Sequence, residues 1–176
     1  MEYEVIFSKR KTIALEIKDG AVLVRAPKNA SREFIQGFVE KNKNWIEKRL
    51  QKSKAQVDII DSLSKEDAIR LKTLARSVLT KKVAYYERFM GVKAQKITVT
   101  SARRRFGSCN SKNEICFSFY LMLYPEKAID YVVVHELAHI KHHNHSKAFH
   151  QFLQKFYPDE KETRKLLSGE NMHLPF

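Results

Sequence analysis

Apolar positions in the first thirty residues recur in short runs rather than at helical spacing. The runs YEVIF (3–7), TIALEI (12–17) and AVLVRA (21–26) are rich in β-branched and aromatic residues with partial alternation, the pattern of half-buried strands. Asp19-Gly20 between the second and third is a hairpin signal, because both residues tolerate positive φ. Pro27 closes this region, and the period then lengthens. Ser31 is placed to cap a helix reaching about residue 56, with Phe34, Phe38, Trp45, Ile46 and Leu50 as its expected buried positions.

A second helix opens at SKED, where Ser64 and Asp67 have capping-box spacing, and stops at Gly91. Leu71, Ala75, Leu79, Val83, Tyr86 and Met90 form its apolar stripe, read as core. KITVTS (96–101) reads as a strand, RRRFGSCNSKNE (103–114) as a polar loop and ICFSFYLML (115–123) as another strand. Pro125 and Glu126 suit the first turn of a third helix. That helix carries Ile129, Val132, Val133, Leu137 and Ile140 toward a core. Shorter helices are expected over 146–156 and 159–168. The pattern predicts an α+β fold: an N-terminal antiparallel sheet region with a helix over 1–62, then a largely helical core with a small sheet over 63–176. The polar stretch QKSKAQVDIIDSLSKED supplies the boundary.

The 176 residues suffice for a buried core without disulfide staples. No run approaches the roughly 18 apolar residues of a membrane span. The acidic start MEYE lacks the apolar region of a signal peptide, and the two cysteines, Cys109 and Cys116, fit a reducing compartment. A cytoplasmic protein is expected. The net charge of +13 is uneven: residues 1–62 carry 13 basic and 9 acidic side chains, but residues 70–112 carry 12 basic and a single acid, Glu87. A segment of that kind attracts phosphates, nucleotides, nucleic acid or acidic peptides, or serves as a solvated helix face.

The chemistry is concentrated elsewhere. Six of the seven histidines fall in VVVHELAHIKHHNHSKAFH (132–150). His135-Glu136-Leu137-Ala138-His139 is an HExxH motif, which puts two imidazoles one turn apart on one helix face with a carboxylate beside them. The preceding VVV places that face against a core, where unpartnered imidazoles and a carboxylate would be costly. A surface helix with accidental histidines, or a closed structural site, is the competing reading. Neither needs Glu136. For the third ligand, His142 and His143 would stay on the helix, whereas Asn144 tolerates a left-handed conformation that could return His145 to the metal. Glu160 or Glu162, from a later helix, is the alternative. His142, His143 and His150 are left without an assigned role.

These segments resemble the YgjP-like family of zinc metallopeptidases, and distantly the WLM and SprT-type proteases. SKRKTIALEI and VRAP resemble the family's N-terminal sheet region, RFGSCNSK its R-W-G-S-C segment, and IDYVVVHELAHIKHHNHSKAFH its metal-binding core. The resemblance implies a zincin-like core, a Zn²⁺ cofactor on His135, His139 and His145, Glu136 as catalytic base, and a peptide or protein substrate. It departs at Phe106 and His150, where the family usually has Trp, and at Tyr120, where a basic residue is common. Arg105 is a candidate for binding a substrate carboxylate or phosphate. Two rival readings keep the metal: a nucleotide pyrophosphatase using the basic segment 70–112, and a protease associated with nucleic acid.

Overall fold

The computed structural model describes residues 1–18, 20–168 and 171–176. It separates into two compact units, Met1–Asp61 and Ser62–Phe176. The fold is α+β, as the periodicities indicate.

In the first unit, strands β1 (Glu4–Ser8), β2 (Ala14–Lys18) and β3 (Ala21–Pro27) form a sheet in the order β1-β3-β2. β2 and β3 pair antiparallel, across a connection where Gly20 has φ +79°. The other half of that turn, Asp19, lies outside the described residues. β1 runs parallel to β3, so the sheet is mixed rather than antiparallel. β3 is the central strand and carries the most deeply buried side chains. Val22, Val24 and Ala26 pack with Ile35, Val39 and Ile46 from the helices.

Ser31 caps α1 (Arg32–Lys41) by accepting from the Phe34 N–H at 3.1 Å. The expected single helix is two: α1 ends at Asn42, whose side-chain amide donates to the Phe38 carbonyl at 2.7 Å, and α2 (Lys43–Ser62) starts afresh. The core face matches the expected one only in part. Ile46 is buried and Leu50 packs against the core as expected, but Phe34 and Trp45 are 57% and 44% exposed, and Ile35 and Val39 are buried in their place. Aromatic size outweighed aliphatic spacing in that expectation.

The second unit is built around two long helices. α3 (Lys65–Met90) starts in a complete Ser64–Asp67 capping box and ends at Gly91, which adopts the left-handed conformation at φ +61°. Its stripe of Leu71, Ala75, Leu79, Val83 and Met90 is buried. α4 (Glu126–Lys141) packs against α3. Lys82 of α3 reaches Glu126 and Asp130 of α4, each at 2.7 Å. The sheet here has β4 (Lys96–Thr100), β5 (Gly107–Cys109) and β6 (Glu114–Ser118) in the order β4-β6-β5, with β6 parallel to β4 and antiparallel to β5. The apolar run 115–123 is a strand only to Ser118; a buried 3₁₀ helix, Phe119–Leu123, completes it. α5 (Lys147–Phe156) and α6 (Glu160–Leu166) follow. β5, α5 and α6 each pack on α4, so α4 is the axis of this unit. Among the described residues no helix is long and apolar enough to cross a membrane.

Candidate metal centre

α4 brings His135 and His139 to one face, as four-residue spacing requires. The helix stops sooner than expected. His142 is already its C-cap, with φ −139° and ψ 96°. Among the described residues Asn113 alone, of the non-glycine residues, has positive φ. The reversal expected from a left-handed Asn144 is instead made by leaving the helix at an extended His142 and bending at His143 and Asn144 without positive φ. Ser146 then caps α5, its hydroxyl 3.4 Å from the Phe149 N–H. The turn held between these two caps carries His145 back over α4.

The result is a cluster in which His135, His139 and His145 each offer a ligand nitrogen within 4.8 Å of the others. The Nε2 atoms of His135 and His145 are 3.1 Å apart. His139 Nδ1 lies 3.1 Å from the His142 carbonyl oxygen. A carbonyl only accepts, so Nδ1 carries the proton and Nε2 keeps its lone pair for a metal. Phe149, fully buried, touches all three rings with centroids at 5.0, 4.6 and 4.8 Å and stacks on His139 at 28°. It is the floor of the site, and a single apolar residue in a polar-looking stretch gave no sign of that role.

Burial, followed by the neighbouring imidazoles of His139 and His145, holds His135 down to about 3. Burial also lowers His139. Both rings are thus neutral, the state in which imidazole binds a metal. Glu136 is buried beside them, and burial pushes its carboxyl up to about 7. Three imidazole nitrogens converging from α4 and from the turn before α5 fit a transition-metal ion. Glu160 and Glu162 do not join them. Glu162 is exposed and paired with Lys165 at 2.8 Å. Glu160 is buried behind His135, 3.5 Å from the Tyr131 hydroxyl and 3.6 Å from His150 Nδ1.

A cavity of about 430 Å³ opens from the cluster and is lined by Phe106, Glu136, His150, Glu160, Arg164 and Leu167, among others. Gly107 forms part of its wall. A Cβ at Gly107 would stand 2.6 Å from Glu136 Cγ and 2.8 Å from its Oε1, so only glycine leaves the carboxylate its place. Neither this contact nor the strand containing Gly107 was visible in the pattern, which reads there as loop.

β5 is also the edge of its sheet. The Ser118 N–H donates to the Phe106 carbonyl at 2.8 Å, and the Asn110 N–H to the Glu114 carbonyl at 3.1 Å. Gly107 and Cys109 fall between such bonded pairs, so their own N–H and C=O groups point away from β6 toward the open edge. Ser118 fastens the preceding loop, donating from Oγ to the Ala102 carbonyl at 2.6 Å. Arg105, in that loop, is exposed and does not line the cavity. His143 is exposed, and the His142 ring lies 5.7 Å from Phe152. The exposed face of α3 carries Arg70, Lys72, Arg76, Lys81 and Arg88 from the basic segment, while Lys82 is turned inward to its carboxylates.

The model of the YgjP-like metallopeptidase domain family matches residues 11–74 and 65–170. No curated protein matches the chain. Among solved structures, the crystal structure of the metallopeptidase zymogen of Pyrococcus abyssi abylysin is similar at 17% identity. The likeness covers 50% of this chain and 87% of that one, with a TM-score of 0.44.

Proposed function

The chain belongs to the YgjP-like metallopeptidase family, and from that premise we propose that it hydrolyses peptide bonds with a zinc ion on His135, His139 and His145. The observation that carries this reading is the convergence of three imidazole nitrogens beside a buried carboxylate with an open cavity in front. When bound, zinc supplies a Lewis acid that polarises the scissile carbonyl and acidifies water at neutral pH.

The chain's own residues do the rest. The backbone of Gly107 and Cys109 at the free edge of β5 takes the substrate as an added strand. The strand within 115–123 cannot serve in this way, because β6 is the central strand of its sheet. The cavity receives a substrate side chain between Phe106 and α6. Glu136 accepts the proton of the attacking water and returns it to the leaving amine. Burial raises its carboxyl above the ordinary range and so favours the protonated form it must hold between those two steps.

The test is Glu136→Gln, assayed on casein-derived peptides and, in parallel, on nucleoside triphosphates. Zinc content should stay at the wild-type level while peptide cleavage falls by roughly 10²–10⁴-fold. Full activity in that variant would remove Glu136 from the base role. Triphosphate cleavage in place of peptide cleavage would move the same machinery to phosphorus.

A further inference from the structure

At His135 Nδ1, the ring nitrogen other than the one that faces His145, stands a polar chain that supplies no ligand to the cluster. The Tyr131 hydroxyl lies 3.4 Å from His135 Nδ1 and 3.5 Å from Glu160 Oε1. Glu160 is only 6% exposed, and its carboxylate also faces His150 Nδ1 at 3.6 Å and Arg164 at 3.9 Å. We propose that Tyr131 and Glu160 are positioning residues that fix the tautomer and ring orientation of His135 for metal binding.

The direction of the chain follows from its donors. A carboxylate only accepts, so the single phenolic proton goes to Glu160. The phenol oxygen then faces Nδ1 with its lone pairs, and Nδ1 must be the protonated nitrogen. Nε2, which faces His145 Nε2 at 3.1 Å, is left bare as the ligand atom. The His142 carbonyl does the same for His139 from the end of α4. Each helical ligand thus has its Nδ1 partner, one from backbone and one from a buried side-chain relay. Such partners govern metal affinity strongly. Glu160 thereby gains a role unlike the one weighed for it: it acts on the centre through a ligand. Tyr131 comes from the same helix one turn before His135, and Glu160 from α6, so the relay also ties α6 to the site.

The proposal rests on the metal-centre reading above, and the experiment separates the two. Full-length ¹⁵N-labelled protein is stripped of metal, and long-range ¹H–¹⁵N correlations report the tautomer of each ring. Zinc affinity is measured by competition with a chromophoric chelator. The wild type should show His135 protonated at Nδ1. Tyr131→Phe, which keeps the ring, should give a mixture of tautomers at His135 alone and bind zinc about 10–100-fold more weakly. Glu160→Gln should move both readouts in the same direction by less. Zinc affinity within twofold of wild type in Tyr131→Phe, with unchanged ring signals, would overturn the relay even if the metal-free protein melted lower. A wild type that bound no zinc would overturn the underlying reading as well.

Discussion

Single atoms decide whether this site can work, and Gly107 is the sharpest case. A methyl group there occupies the space of the Glu136 side chain. Gly107→Ala should therefore leave zinc content unchanged while displacing the carboxylate. An ångström of misplacement can cost on the order of 10²-fold in rate, so kcat should fall by that order, measured on the same peptide as wild type. Ser118 is a second residue with more duties than its size suggests. It is almost wholly buried and bonds to both Ala102 and Phe106. Ser118→Ala leaves the half-buried Ala102 carbonyl without that donor and should cost about 0.5–1.5 kcal/mol in denaturant unfolding. At this scale the HExxH spacing was readable because four-residue separation fixes its geometry wherever the helix goes. The Gly107–Glu136 and Tyr131–Glu160 contacts were not, since each joins elements that only the folded chain brings together.

Elements were legible where their ends carry their own chemistry. Ser31, Ser64, Gly91 and Ser146 all stop or start helices as their types predict. The failures lie where the neighbour decides. Whether a strand is central or at an edge, or parallel to a partner, is set by the rest of the sheet. The run 115–123 is apolar but for Ser118 because its strand and its 3₁₀ turn are almost entirely buried, and burial on nearly every side erases periodicity. α5 offers a prediction at this scale. Phe149→Ala removes the floor under three imidazoles and should cost about 3–5 kcal/mol, with a parallel loss of zinc affinity in chelator competition. Equal zinc affinity in a folded Phe149→Ala variant would dismiss its role as a floor. The α3–α4 pair offers another, in pH. Burial opposes the charge of Lys82, but Asp130 and Glu126 outweigh it and raise its pKa above the usual 10.5. Glu126 is lowered by Lys82 from 4.5. A raised lysine contributes stability that is complete below pH 10.5 and lost as pH climbs through the folded value. A lowered carboxylate contributes stability present above pH 4.5 and lost in acid. The stability difference between wild type and Lys82→Met should accordingly be flat through neutrality and shrink at both extremes.

For the molecule as a whole, the α+β class and the family were within reach of the sequence, because the strand-rich start, the two long helices and the histidine segment are each distinctive. The centre draws ligands from α4 and from the turn before α5 and its floor from α5, all within residues Ser62–Phe176. An ion that binds only the folded form stabilises it by mass action, about 2.7 kcal/mol at a free concentration a hundred times Kd. Chelation should thus lower the melting temperature of this unit, read by calorimetry with and without added zinc, and His145→Ala should abolish the difference.

The brevity of β5 has a consequence for what can be cleaved. Three residues present only two, Gly107 and Cys109, whose backbone faces outward. A grip of two rungs cannot pull a strand out of a cooperative sheet, whose own pairings are already satisfied. Chain that is already slack meets no such opposition. On the proposed mode of docking, this enzyme selects by disorder before it selects by side chain: nicked, unfolded or tail-like segments enter, and intact domains of the same composition pass by. Cleavage of a substrate protein should then track the fraction of it that is locally open.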